Sequence, residues 1–172
     1  GHIELTVPHA FVAGARGAIT IDPVIRSVPV NVGSDNTRNA DIAYDRQNDR
    51  WLVVYERVFS GLDADIIGRG FFGNGDSLNE HVIAAGAVDA RNPSVGNNDA
   101  TQLFLVAWDE DRGGAGRAIM GRRETGSLNV DAPPFTLRAV VGATCLSPAV
   151  GGSTATDAGG NLFAVVCEEG TT

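Results

Sequence analysis

Glu56, Asp109 and Glu168 stand at the same place in three related stretches, each closing a short apolar run: Trp51-Leu-Val-Val-Tyr-Glu56, Phe104-Leu-Val-Ala-Trp-Asp109 and Phe163-Ala-Val-Val-Cys-Glu168. Two carboxylates flanking a sugar are the apparatus of glycoside hydrolysis, and the chain carries enough acidic residues to raise that chemistry. Recurrence in every copy fits a structural duty repeated per unit better than one asymmetric active site. All three are therefore assigned hydrogen-bonding or ion-pairing roles, with Arg69 and Arg122 as candidate partners, and no catalytic residue is assigned.

Cys145 and Cys167 lie symmetrically about residue 156, inside a polar stretch, Thr154 to Gly160, that reads as a turn. In an antiparallel hairpin centred there the two would face one another at a Cα separation of roughly 5.5 Å, which a disulfide can span. A disulfide points to an oxidising compartment, so the chain is expected to be secreted or periplasmic. Two separately buried thiols stay open as the alternative, because Cys167 stands where the other copies have Tyr55 and Trp108.

Asp63-Ala-Asp65 and Asp109-Glu-Asp111 place carboxylates on alternate residues near loop ends, where a hard cation such as calcium finds oxygen ligands. Neither stretch has the Gly and distal Glu of an EF-hand loop. Solvated loop charge is the preferred reading, and no cofactor is assigned. His2, His9 and His81 have no zinc-type spacing to other ligands. A sialidase-type Asp-box (Ser-x-Asp-x-Gly-x-x-Trp) and a Gly-x-Ser-x-Gly elbow are both absent. Trp51 and Trp108 read as core, leaving Phe71 and Phe72 as the aromatic residues expected to be available to a glycan.

The elements that position these groups are strands of an internal repeat. Asn39-Ala-Asp-Ile-Ala-Tyr44, Asn92-Pro-Ser-Val-Gly-Asn97 and Ser147-Pro-Ala-Val-Gly-Gly152 each precede one of the apolar runs. Asp65-Ile-Ile-Gly-Arg69 and Ala118-Ile-Met-Gly-Arg122 follow two of them, and His81-Val-Ile-Ala84 and Phe135-Thr-Leu-Arg138 follow in turn. Asn39 and Asn92 are 53 residues apart, as are Asp65 and Ala118. Four short strands, A to D, in a unit of this length mark a β-propeller blade. With a C strand within His2 to Phe11 and a D strand within Ile21 to Val28, the chain reads C-D, A-B-C-D, A-B-C-D, A-B. The units are 1–33, 34–88, 89–142 and 143–172.

The fold class is thus all-β, a propeller of four-stranded antiparallel blades. Three blades' worth of strands leave open edges, so another chain is expected to complete the ring. That chain is either a second copy, giving a six-bladed homodimer, or a different subunit, in which case this chain is a fragment of a larger propeller.

The Asn/Ser-Pro-x-Val, Phe-Leu-Val-x-Trp-Asp and Asp-Ile-x-Gly-Arg segments resemble the blade repeats of large secreted bacterial proteins. The resemblance implies the propeller fold and leaves function open. A net charge of −8, with thirteen Arg and no Lys, argues against a nucleic-acid partner. No apolar run is long enough to span a membrane. The expected function is that of a non-catalytic, extracytoplasmic scaffold or protein-interaction subunit. The alternative is a carbohydrate-active propeller, either a glycoside hydrolase or a lectin-like binder.

Overall fold

The computed structural model describes residues 27–31, 35–127, 129, 132–153 and 162–171. The expected N-terminal C and D strands lie outside the described residues, apart from the end of the D segment.

Among the described residues ten strands form three antiparallel sheets in chain order. Sheet 1 holds β1 (Asn36–Asp45), β2 (Arg50–Ser60), β3 (Asp63–Phe72) and β4 (Ser77–Ala84). Sheet 2 holds β5 (Ala90–Asn98), β6 (Leu103–Asp111), β7 (Arg117–Thr125) and β8 (Phe135–Arg138). Sheet 3 pairs β9 (Ala143–Gly151) with β10 (Ala164–Thr171). Each strand read from the sequence beyond residue 38 falls on one of these ten.

The second strands of sheets 1 and 2, β2 and β6, are apolar without alternation because they are covered on both sides. Successive side chains point to opposite faces, so Leu52 and Val54 of β2 face sheet 2 while Val53 and Tyr55 face away from it. Each sheet then has a front, towards earlier sequence, and a back, towards later sequence. The first seam joins Leu52, Val54, Ile66 and Ile83 on the back of sheet 1 to Val95, Phe104, Val106, Trp108 and Met120 on the front of sheet 2. The second joins Ala107 and Ile119 on the back of sheet 2 to Cys145, Val150, Val165 and Cys167 on the front of sheet 3.

The innermost strands carry small residues because they approach one another closely. A Cβ on Gly96 of β5 would meet Val150 Cγ1 at 2.9 Å and the Gly152 nitrogen at 3.0 Å. Beside them the Asp99 N–H donates to the Ser153 carbonyl at 2.9 Å.

Each innermost strand also bulges at a left-handed residue: Asn39 (φ 51°), Asn92 (φ 51°) and Ser147 (φ 49°). The ladder skips a register step there in all three sheets. Asn tolerates this backbone region better than most residues, and a bulge is one of the few places in a sheet that accepts the prolines at 93 and 148. The bulges turn backbone N–H groups away from their own ladder.

Candidate functional site

The recurring carboxylates meet these bulges. Glu56 Oε1 accepts the backbone N–H of Asn92 across the first seam at 2.7 Å, and Asp109 Oδ2 accepts that of Ser147 across the second at 3.2 Å. Each carboxylate also holds the bulge of its own sheet, through Asn39 Nδ2 on Glu56 and Asn92 Nδ2 on Asp109, both at 2.7 Å. Arginine supplies the countercharge: Arg38 Nε lies 2.7 Å from Glu56, and Arg117 Nε pairs with Asp109. Both carboxylates are buried, where an ionised group requires this degree of hydrogen bonding. The two seams thus share one latch. Glu168, at the matching place on sheet 3, is exposed and has no partner among the described residues.

Arg69 and Arg122 do not bind these carboxylates. Along the ladder Glu56 opposes Ile66 whereas Arg69 opposes Val53, three rungs or about 10 Å away. The same offset separates Asp109 from Arg122. Both arginines instead reach the segment that precedes their own sheet: Arg122 Nη1 donates to the Ile83 carbonyl at 2.5 Å and Arg69 Nη1 to the Val30 carbonyl at 2.7 Å. Ile83 and Val30 are 53 residues apart, so residues 28–30 lie on sheet 1 where β4 lies on sheet 2. The sequence carries no direct sign of these contacts, because their acceptors are backbone groups.

Two titratable pairs escaped the sequence reading. The Tyr55 hydroxyl donates to Glu80 Oε2 at 2.7 Å, with Arg57 Nη2 on Oε1 at 2.6 Å and Arg69 at 3.9 Å. This resembles a nucleophile beside a base, but its electrostatics oppose that use. Burial and then the Glu80 hydrogen bond push the Tyr55 phenol up to about 12. Burial pushes Glu80 up, yet the hydrogen bonds from Tyr55 and Arg57 and the two arginine charges outweigh it and leave the carboxyl below its ordinary value. A phenol that resists ionisation beside a weakened base is suited to structure.

In the second pair, His81 Nε2 lies 2.6 Å from Glu124 Oε2 across the first seam. Glu124 is fully buried, and its Oε1 and His81 Nδ1 have no hydrogen-bond partner among the described residues. The places 53 residues earlier are Val28 and Phe71, an apolar contact.

Both cysteines are free thiols in this structure, so the expected disulfide is unsupported by it. The bulge shifts the register so that Cys145 opposes Glu169, not Cys167. The two thiols become diagonal neighbours in contact with one another, not directly opposed residues. Both pack in the second seam, Cys145 where the first has Ala90 and Cys167 where it has Trp108. The inference of an oxidising compartment, and with it export, loses its support.

Among the acidic clusters, Asp109 is engaged in the latch and Asp111 Oδ1 accepts the Gly113 N–H at 2.8 Å. Burial raises the Asp65 carboxyl, partly offset by the Gly86 N–H and reinforced by Asp63. No group of three or more metal-type ligands occurs among the described residues. No described helix is long and apolar enough to cross a membrane.

The aromatic assignments shift as well. Phe71 is buried and Phe72 exposed, while Trp51 is only half-buried, at the edge of an apolar groove of about 280 Å³ on the front of sheet 1. Val28, Val30, Ile42, Val53, Phe71 and Gly75 complete its walls. Tyr44 stacks on Trp51 with ring centroids 4.3 Å apart, and its hydroxyl donates to Asp49 Oδ1 at 2.6 Å.

No protein-family model matches the sequence, and no curated protein matches it. Among solved structures the chain is similar to Hadza microbial sialidase Hz136, with a TM-score of 0.54 at 12% identity. The match covers 69% of this chain and 30% of that one. Sialidases are built on the β-propeller, so the likeness together with the stacked antiparallel sheets defines an all-β, propeller-like fold. The chain spans under a third of the sialidase it matches.

Proposed function

We propose that this chain is a non-catalytic propeller segment that serves as a scaffold, binding protein through the outer faces of its sheet stack. The observation that carries this reading is the state of the recurring carboxylates. Glu56 and Asp109, the groups best placed by repetition to be mistaken for a catalytic pair, are buried and fully engaged in holding one sheet to the next. Meanwhile the two ends of the stack leave apolar side chains in water: Ile42 on the front of sheet 1 and Val166 on the back of sheet 3.

A carbohydrate-active role is the second reading, favoured by the fold likeness to a sialidase and by the Tyr44–Trp51 stack with Asp49 beside it. An apolar wall with a few fixed polar groups is the general form of a small-ligand site.

The two readings separate in one set of assays. A panel of fluorogenic glycosides, sialosides included, is expected to show no turnover, and a glycan array no binding. Turnover abolished by Tyr55→Phe or Glu80→Gln, or array binding abolished by Trp51→Ala, would replace the scaffold reading with the second.

A further inference from the structure

Two thiols and a guanidinium meet inside the second seam. Cys145 is buried with Ala107 and Ile119, and Cys167 packs against the same cluster. The skipped register step at the bulge makes the two cysteines diagonal neighbours on β9 and β10, and the Cys167 thiol hydrogen-bonds to Cys145. Arg138 of β8 lies close enough for its charge to act on both thiols. Glu169, the residue opposite Cys145, holds that guanidinium at 2.8 Å.

The packing does not call for sulfur. In the first seam the matching places are Ala90 and Trp108, which belong to the apolar core. Sulfur adds a capability those residues lack, because two thiols in contact can exchange their hydrogens for a covalent bond. Contact also removes most of the entropic cost of bringing the two sulfurs together. Side-chain rotation is what remains, to reach a bond length of about 2.05 Å.

We infer that Cys145 and Cys167 are a reversible thiol–disulfide pair, in which Cys167 attacks a small-molecule disulfide, Cys145 resolves the product, and Arg138 is a positioning residue. In the first step the Cys167 sulfur bonds to one sulfur of the small disulfide, whose S–S bond breaks, and one small thiol leaves with the Cys167 proton. In the second, Cys145 gives up its proton, its sulfur displaces the remaining small thiol from Cys167, and that thiol takes the proton. The pair thus loses two protons and two electrons, and the small disulfide gains them. Cys145 never meets the reagent itself, in keeping with its burial. Burial raises the Cys167 thiol above its ordinary value and Cys145 adds to this, while Arg138 opposes it. Arg138 therefore keeps part of the reactive thiolate available. The closed form ties β9 to β10 two residues from Ser147, whose N–H carries the Asp109 latch, so redox state sets how firmly sheet 3 is held together. This is independent of the scaffold reading.

Glutathione buffers test this on the native chain. Equilibrated over a series of ratios of reduced to oxidised glutathione and quenched in acid, the chain is expected to pass from the dithiol to a form lighter by two hydrogens, with no glutathione retained. Dithiothreitol should reverse the change, and the urea midpoint should rise on closure, since the bond constrains the unfolded chain. Cys145→Ala, which installs the residue of the first seam, should keep the wild-type circular dichroism spectrum and retain one glutathione on Cys167, whereas Cys167→Val should retain none. Arg138→Gln should slow closure at neutral pH by about threefold for each unit by which the thiol pKa rises, and the gap should narrow as rising pH ionises both thiols. A wild-type mass that does not respond to the ratio, or a glutathione adduct that persists on the wild-type chain, overturns the inference. Equal rates for Arg138→Gln and the wild type across the pH range overturn the role given to Arg138.

Discussion

The carboxylate of Glu56 accepts the backbone N–H of Asn92, the left-handed residue at the bulge of the next sheet, at 2.7 Å. A side chain on one sheet thereby satisfies a donor that the bulge has withdrawn from another, and the connection recurs at Asp109 and Ser147. Removing a buried, hydrogen-bonded charge leaves its former partners unmet. Glu56→Ala is expected to cost about 3–5 kcal/mol, read as a fall in the urea midpoint with an unchanged slope. Glu56→Gln keeps the acceptor for Asn92 and should cost less. Equal losses for the two would mean that the hydrogen bond to Asn92 contributes little.

The His81–Glu124 pair makes a different demand on the same seam. The apolar equivalents at the neighbouring position, Val28 and Phe71, show that the fold does not require a polar contact there. His81→Val alone strands the fully buried Glu124 and should cost about 3–5 kcal/mol. Adding Glu124→Phe removes the stranded charge, and the double variant should return to wild-type stability or exceed it by about 1–4 kcal/mol. Additive losses in chemical denaturation would show instead that the pair is worth more than the apolar contact it replaces.

The sequence reveals strands far better than contacts, for a physical reason. Period and repetition are local, so the apolar runs 51–56 and 104–109 locate β2 and β6, and the 53-residue spacing predicts equivalent places. The recurrence of Glu56 and Asp109 likewise announced a structural duty. Their partners were illegible because a donor such as the Asn92 N–H is a backbone group, and its availability depends on a bulge that no residue type specifies. The expected facing of the two cysteines changes at the same point. Symmetry about residue 156 assumed an unbroken ladder, and one skipped register step moved Cys145 opposite Glu169. His81 and Glu124 were invisible as a pair because 43 residues and a seam separate them.

The free thiols lead to a reactivity prediction. Cys145 is buried and Cys167 half-buried. Burial, then the neighbouring Cys145, raises the Cys167 thiol above its ordinary value. The thiolate is the reactive form. At neutral pH Cys167 should therefore react with a disulfide reagent more slowly than free cysteine, and Cys145 only after unfolding. In denaturant without reductant both thiols should titrate. An intact mass lower by two hydrogens in protein prepared without reductant would reinstate the Cys145–Cys167 bond.

Tyr55 and Glu80 set opposite limits on the pH range of stability. The folded-state pKa of Tyr55, about 12, exceeds the ordinary tyrosine value near 10, because the structure favours the neutral phenol. Its contribution is complete below pH of about 10 and is lost as pH rises towards 12. Glu80 is shifted down, so its contribution is present above the ordinary carboxylate value and is lost as pH falls through the lowered one. Tyr44→Phe leaves Tyr55 as the sole tyrosine of the chain, which isolates the upper limit. The phenolate absorbance of that variant should rise with a midpoint near 12, well above that of a free phenol. Tyr55→Phe should remove the alkaline loss of stability and, by deleting one hydrogen bond to Glu80, move the acid limb to higher pH. A Tyr55 midpoint near 10 in protein that is still folded by circular dichroism would mean that the phenol is neither buried nor held by Glu80.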